Sequence, residues 1–387
     1  MATSGRIGRR RGVALLAALL LSVIAAGTSS AAAPRGLSWT RVAPPAMAGA
    51  ILRDITSNSG VLLAVGSTPP LDAGIWRSSD AVHWTRIDVG AIGENVVLQS
   101  VTAWRQGFAA VGLRYTFASA GIQRDAVVMT SRDGNHWRRA DLPGGHGGLP
   151  NVVAVHRGVL VAGGCLGVGR FGCLFAAEGE AVIWTSPDAR TWTKRMLPDG
   201  EHSFVNAIAS VGGKLVLVGS EVEVDESGFL STPVAAAVWE GPTAATARRI
   251  RDEALDSGVG NGVVAYRGTY LAVGGRSACI ESWKRDRPGW TTVDDPSALC
   301  DQQMNDAVAF HGTVYATGFD FFYERLPVWR TRDTSHWTAV TDSAMTSAGL
   351  LFEANAIIEW QGRLVIAGTA FSDAPPDGQI WVGTPGK

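Results

Sequence analysis

Beyond its first 26 residues this chain of 387 has no apolar run long enough to cross a membrane, which takes about 20 residues. Cysteine is scarce: there are four, Cys165, Cys173, Cys279 and Cys300. No two are spaced C-x-x-C, so no zinc site or other metal is expected. Positive charge is not in excess, with 34 Lys and Arg against 35 Asp and Glu. That excludes a strongly basic face and argues against a nucleic-acid partner. Of seven histidines, five (His83, His136, His156, His311 and His336) fall in turn-like motifs. Only His146 and His202 remain as candidates for acid–base work or metal ligation. No third ligand is spaced to help them, so solvated loop positions are expected for both.

What is present begins with an export signal. Arg6, Arg9, Arg10 and Arg11 precede "VALLAALLLSVIAA" (13–26), and small residues follow. This is the pattern of a cleaved signal peptide, expected over residues 1–33. The arginine pair leaves the general and twin-arginine export routes both open. Removing four arginines and no acid takes the formal net charge from −1 to about −5. An even cysteine count in an exported chain predicts two disulfides. A secreted, monomeric domain over 34–387 with no membrane span is expected.

The rest of the sequence repeats. A short apolar run, a turn with Gly and a second apolar run ending in Gly recur seven times. The clearest copies are "VVAVHRGVLVAGG" (152–164), "AIASVGGKLVLVGS" (207–220), "VVAYRGTYLAVGG" (263–275), "AVAFHGTVYATG" (307–318) and "AIIEWQGRLVIAG" (356–368). Looser copies are "ITSNSGVLLAVG" (55–66) and "VTAWRQGFAAVG" (101–112). Such spacing is that of propeller blades. The runs are too short for helices and lack caps, so each copy reads as strands A and B joined by a tight turn.

A second motif joins strand C to strand D. It places a hydroxyl residue, an Asp two on and a Trp six on: Ser78, Asp80 and Trp84; Ser131, Asp133 and Trp137; Ser186, Asp188 and Trp192; Thr331, Asp333 and Trp337. The Asp and hydroxyl side chains bond turn N–H groups, and the Trp packs over the turn. The motifs are therefore structural staples and poor catalytic candidates. Copies at 238–250 and 282–293 are worn. The last repeat ends after strand C, and "LSWTRVAP" (37–44) resembles the missing strand D. The chain should thus be an all-β, seven-bladed propeller of four-stranded antiparallel blades, with the N-terminal strand completing the last blade.

These motifs resemble the Asp-box, or BNR, repeats of sialidase-like β-propellers. The resemblance implies the blade rather than an activity, because such repeats serve enzymes and binding proteins alike. In a propeller the A–B and C–D turns share one face, and the D–A and B–C loops share the other, upper face. A binding site is expected on the upper face. Seven residues before each turn Gly stand Arg53, Ser100, Asn151, Asn206, Asn261, Asn305 and Asn355. The asparagines read as bonds between blades, whereas Arg53 with Asp54 reads as a ligand position. The loops 113–126, 165–180, 220–233 and 320–327 add Tyr115, Arg170, Phe171, Phe322, Tyr323 and Arg325 as candidate ligand residues. "GVGRFG" (167–172) has the spacing of a dinucleotide loop but leads into a strand, so no cofactor is expected. Cys165–Cys173 would close that loop. Cys279–Cys300 would tie another, because the crossed pairings span different blades.

Two functions fit. The first is a binding or assembly module for a protein or a cell-envelope glycan. The alternative is a glycoside hydrolase of sialidase-like or endoglucanase-like type. Resemblance to sialidases implies six blades and an arginine triad, and this chain repeats seven times. Glu94, Asp306, Glu353 and Asp373 could reach the upper face, but nothing in the sequence pairs them as glycoside hydrolysis requires.

Overall fold

A computed structural model describes residues 36–386, apart from 106, 120, 168–172, 174–178, 225–230, 287, 294–299, 321–324 and 348. The described residues form 28 β-strands and no α-helix. β1 (Leu37–Val42) comes first. The next four are β2 (Ile51–Asn58), β3 (Val61–Thr68), β4 (Asp72–Ser78) and β5 (Trp84–Arg86). Then come β6 (Val96–Trp104), β7 (Gly107–Ala118), β8 (Gly121–Ser131) and β9 (Trp137–His146). A third set holds β10 (Gly148–His156), β11 (Val159–Gly167), β12 (Gly179–Ser186) and β13 (Thr193–Glu201). A fourth holds β14 (Ser203–Val211), β15 (Lys214–Val224), β16 (Ser231–Gly241) and β17 (Arg248–Ile250). A fifth holds β18 (Val259–Tyr266), β19 (Thr269–Arg276), β20 (Cys279–Arg285) and β21 (Trp290–Thr292). β22 (Gln302–Phe310), β23 (Thr313–Asp320), β24 (Val328–Thr331) and β25 (Thr338–Ala339) follow. β26 (Leu351–Trp360), β27 (Arg363–Phe371) and β28 (Asp377–Pro385) end the chain.

The first five sets are separate four-stranded antiparallel sheets. The last two sets are joined into one eight-stranded sheet by the single pair Phe319↔Glu353. β1 lies antiparallel to β28 over six residue pairs, Leu37↔Pro385 to Val42↔Ile380. The innermost strands pack in sequence, β2 on β6, β10, β14, β18, β22 and β26 in turn, and β26 packs on β2. This is the arrangement of a β-propeller.

The sets are held together at their seams. Buried apolar clusters each span two neighbouring sets, as where Val101 and Phe108 meet Leu63 and Ile75. Strand C carries a fully buried Trp in six sets: Trp76, Trp184, Trp239, Trp283, Trp329 and Trp381. Each withdraws about 200 Å² from water, worth about 5 kcal/mol before entropy is charged. In four sets the indole N–H donates to a backbone carbonyl outside its own strand, for example Trp76 Nε1 to Ala46 O at 2.7 Å. The sequence signal for this Trp is partial: Trp76, Trp184 and Trp329 stand two residues before a motif hydroxyl, whereas Trp239, Trp283 and Trp381 do not.

The Asp motif behaves as its chemistry predicts. Asp133 Oδ1 accepts from the N–H groups of Asn135 and His136, both at 2.8 Å, and Ser131 Oγ accepts from Gly134 N at 2.8 Å. Asp80, Asp188 and Asp333 repeat the pattern. The motif Trp does more than cover its own turn. Trp84 packs with Ala356, Trp360 and Val365 of the preceding set, so it fills a seam. Both expected disulfides form, Cys165–Cys173 and Cys279–Cys300.

Candidate functional site

Each innermost strand carries a one-residue β-bulge near its start, where its register against strand B shifts. The bulged residues are Arg53, Gln99, Asn151, Asn206, Asn261, Asn305 and Asn355. The expectation for the second repeat needs correction: Ser100 is one residue beyond the bulge. Trp104 pairs with Gly107 in that repeat. The turn Gly is thus already in strand, and counting from it lands one residue late.

The asparagine side chains join neighbouring strands. Asn151 Nδ2 donates to Val205 O at 3.3 Å, Asn206 to Gly260 O at 3.0 Å and Asn261 to Met304 O at 3.0 Å. Asn305 donates to Ala354 O at 3.2 Å and Asn355 to Leu52 O at 2.9 Å. At five of the seven bulges the carbonyl of the preceding residue is thereby satisfied. The series stops at Arg53, whose guanidinium meets Glu353 Oε1 at 3.4 Å. Asp54 does not face a free ligand position. Its Oδ2 accepts from Ser100 Oγ at 2.6 Å and Val101 N at 2.8 Å.

In the four sets that have it, the Asp motif lies at the opposite end of the sheet, as where Ser78 pairs with Leu62 beside the A–B turn. The bulge end is therefore the upper face. Two of the segments expected there as loops are strands instead. Residues 113–118 pair with 121–126 throughout, with Tyr115↔Arg124 and Phe117↔Ile122 in register. β15 and β16 likewise pair out to Val224↔Ser231. Alternating β-branched, aromatic and polar residues suit a twisted ribbon, and the paired backbone costs less than an open loop. Arg170, Phe171, Phe322 and Tyr323 lie outside the described residues. Arg325 forms a bridge with Thr346 and sits 3.6 Å from the buried Asp320 carboxylate.

The β7–β8 ribbon was credited only with Tyr115. Its more exposed groups are Phe117 and Ile122, at 57% and 56% of their full areas. Side chains alternate along a strand, so Tyr115, Phe117, Ile122 and Arg124 share the face that buries Leu113 and Ala126 nearer the sheet. At the ribbon's base Asp125 takes His146 Nδ1 and Arg114 Nη2, both at 3.0 Å. Burial opposes its charge, but His146 and Arg114 outweigh that and hold the carboxyl below its ordinary range. His146 thus ends β9 with its exposed ring bonded to Asp125, in a strand instead of a loop.

Two clefts open on the same face. One of about 450 Å³ is lined by Asp72, Arg86, Asp88 and Glu94. Another of about 360 Å³ is lined by Glu180, Asp199, Glu201, His202, Glu221 and Arg251. Beneath it the buried Arg249 meets Glu221 at 2.6 Å and stacks on Trp239. Burial first, then Arg251, lowers the Arg249 pKa to about 10, which leaves it charged at neutral pH.

No family model matches the chain, and no curated protein matches it in sequence. Solved structures do match in fold. Phage phi92 endosialidase aligns over 91% of this chain and 70% of its own, at 10% identity and a TM-score of 0.51. Trypanosoma rangeli sialidase aligns over 86% at 12% identity and a TM-score of 0.49, and YjhT over 80% at 13% and 0.49. This chain spans 55% of the trypanosomal sialidase and 98% of YjhT. Likeness at such identities concerns the fold alone, which is that of a β-propeller.

Proposed function

We propose that this protein is an exported, seven-bladed Asp-box propeller that binds a protein or a cell-envelope glycan through its upper face. Five four-stranded sheets plus an eight-stranded one joined at a single pair support the count of seven. The β1–β28 pairing and the Asn355 bond to Leu52 O support closure of the ring by the N-terminal strand. The cysteine pairs and the basic-then-apolar N-terminus support export of a mature domain from about residue 34.

The observation that carries the binding role is the β7–β8 ribbon. Its core-facing side continues past the sheet and ends in the exposed Phe117–Ile122 pair. An apolar face that outruns its own core marks an interaction site. Tyr and Arg on the same face suit a binding surface, and Ile122 beside Phe117 weighs toward a protein partner. A rigid ribbon loses little entropy on association.

Phe117→Ala with Ile122→Ala should leave the melting temperature within about 1 °C, because such exposed side chains contribute little to folding. The same change should weaken at least tenfold whatever a pull-down from envelope extract or a glycan array captures. Unchanged capture would remove the ribbon from the site. Glycan hydrolysis abolished by replacing Glu353 or another upper-face carboxylate would establish the hydrolase reading instead.

A further inference from the structure

The residue after each bulge lies on the innermost strand, where one set meets the next. In order these are Asp54, Ser100, Val152, Ala207, Gly262, Asp306 and Ala356. Where this residue has an acceptor, it grips the next innermost strand. Asp54 Oδ2 takes Val101 N at 2.8 Å, Ser100 Oγ takes Val153 N at 3.1 Å and Asp306 Oδ2 takes Ile357 N at 2.9 Å. The two carboxylates thus fall on β22 and β2, the strands on either side of β26. β26 belongs to the blade that β1 completes.

We propose that Asp54 and Asp306 form a proton-operated latch on this closing blade. With at least one carboxyl neutral, Asp306 holds β26 and the junction stays tight. With both ionised, two enclosed negative charges repel across β26 and the junction loosens. The inference rests on the ring closure argued above but not on the binding role.

The surroundings favour the neutral forms. Burial raises Asp54 to about 6 against the hydrogen bonds from Ser100, Val101 and Ile55. Burial, and after it the charge of Asp54, raise Asp306 to about 7 against the bonds from Ile357 and Ala307. Both side chains are enclosed by strands, yet both residues keep some contact with solvent, which moderates the shifts. The charged groups nearby are few. Arg53 and Glu353 pair with each other at 3.4 Å. Asp320 accepts from Gln302 Nε2 at 2.7 Å. β3 and β6 carry no charged residue, and those of β18, β19, β20, β27 and β28 are Tyr266, Tyr270, Arg276, Glu281, Lys284, Arg285, Arg363 and Asp377. None of these is among the causes of either shift.

An aspartate whose folded pKa lies above its ordinary value near 4 stabilises the fold most below that value. The contribution is lost as pH rises through about 6 to 7. Thermal melts of the mature chain should therefore fall by at least about 3 °C between pH 5 and pH 8. Asp306→Asn should remove most of that fall, and Asp54→Asn a part of it. Amide exchange in β26, corrected for intrinsic rates, should be several-fold faster at pH 8 than at pH 5 in the wild type and equal in Asp306→Asn. A flat wild-type profile would overturn the latch, as would an unchanged slope in both variants or faster exchange confined to other strands. If Asp306→Asn fails to fold, Asp54→Asn carries the same readout, since it removes one of the two charges.

Discussion

At the scale of single residues, aspartate serves this fold in two opposite electrostatic settings. The Asp-motif carboxylates sit at the surface and accept turn N–H groups. Those bonds, with the His83, His136 and His336 side chains beside three of them, hold the carboxyls well below their ordinary range, Asp188 to about 2. A depressed pKa gives stability that is present above about 4 and lost as pH falls toward 2 and below. Asp54 and Asp306 work the other way, losing stability as pH rises through about 6 to 7. The melting temperature should therefore peak between about pH 4 and pH 5. Asp133→Asn should flatten the acid side of that profile and cost about 1 kcal/mol at neutral pH. A pH series of melts on both proteins checks the two statements together. Trp192 shows the limit of motif reading: its indole N–H has no partner among the described residues, while Trp84 and Trp137 donate to turn carbonyls.

At the scale of the strand, one glycine in each repeat is required by a close approach. A Cβ on Gly66, Gly112, Gly164, Gly219, Gly274, Gly318 or Gly368 would strike the carbonyl oxygen two residues before the bulge of the neighbouring strand. This explains why strand B ends its apolar run in Gly: the bulge turns a carbonyl toward it. Gly274→Ala should cost more than about 2 kcal/mol, because backbone must move. Gly36→Ala, where nothing lies within 4 Å, should be neutral. Denaturant titration of the two variants separates them, and equal stability would refute the close approach. The recurring Gly was legible in the sequence, whereas the bulge was not. A bulge adds a residue to one strand only, so it shows as a register shift against a partner.

At the scale of the whole molecule, β1 is the element whose role extends furthest along the chain. It pairs with β28 more than 300 residues away and places Trp39 against Trp381 and Phe352. Trp39 N also donates to Asp342 Oδ2 at 3.2 Å. Deleting residues 34–44 should lower the melting temperature by more than about 5 °C. It should also expose the β28 edge, a template for pairing with other chains. Melting and size-exclusion chromatography check this, and an equally stable, monomeric deletion would overturn the closure.

By itself the sequence determined the repeat, the strand periodicity, the motif turns and the pairing of cysteines. Each depends on residues within one repeat, or on the match between "LSWTRVAP" (37–44) and the strand D that the last repeat lacks. Local hydrogen bonding and alternation decide such features, and both leave a pattern along the chain. Only the tertiary structure decided that Asp54 reaches Val101, that Asp306 reaches Ile357, and that Arg53 stands beside Glu353. These partners are 47 to 300 residues apart and belong to different repeats. The physical reason is that a seam between sheets has no period of its own. It exists only once the sheets pack, and packing decides which carboxylate is enclosed, which is paired and which faces water.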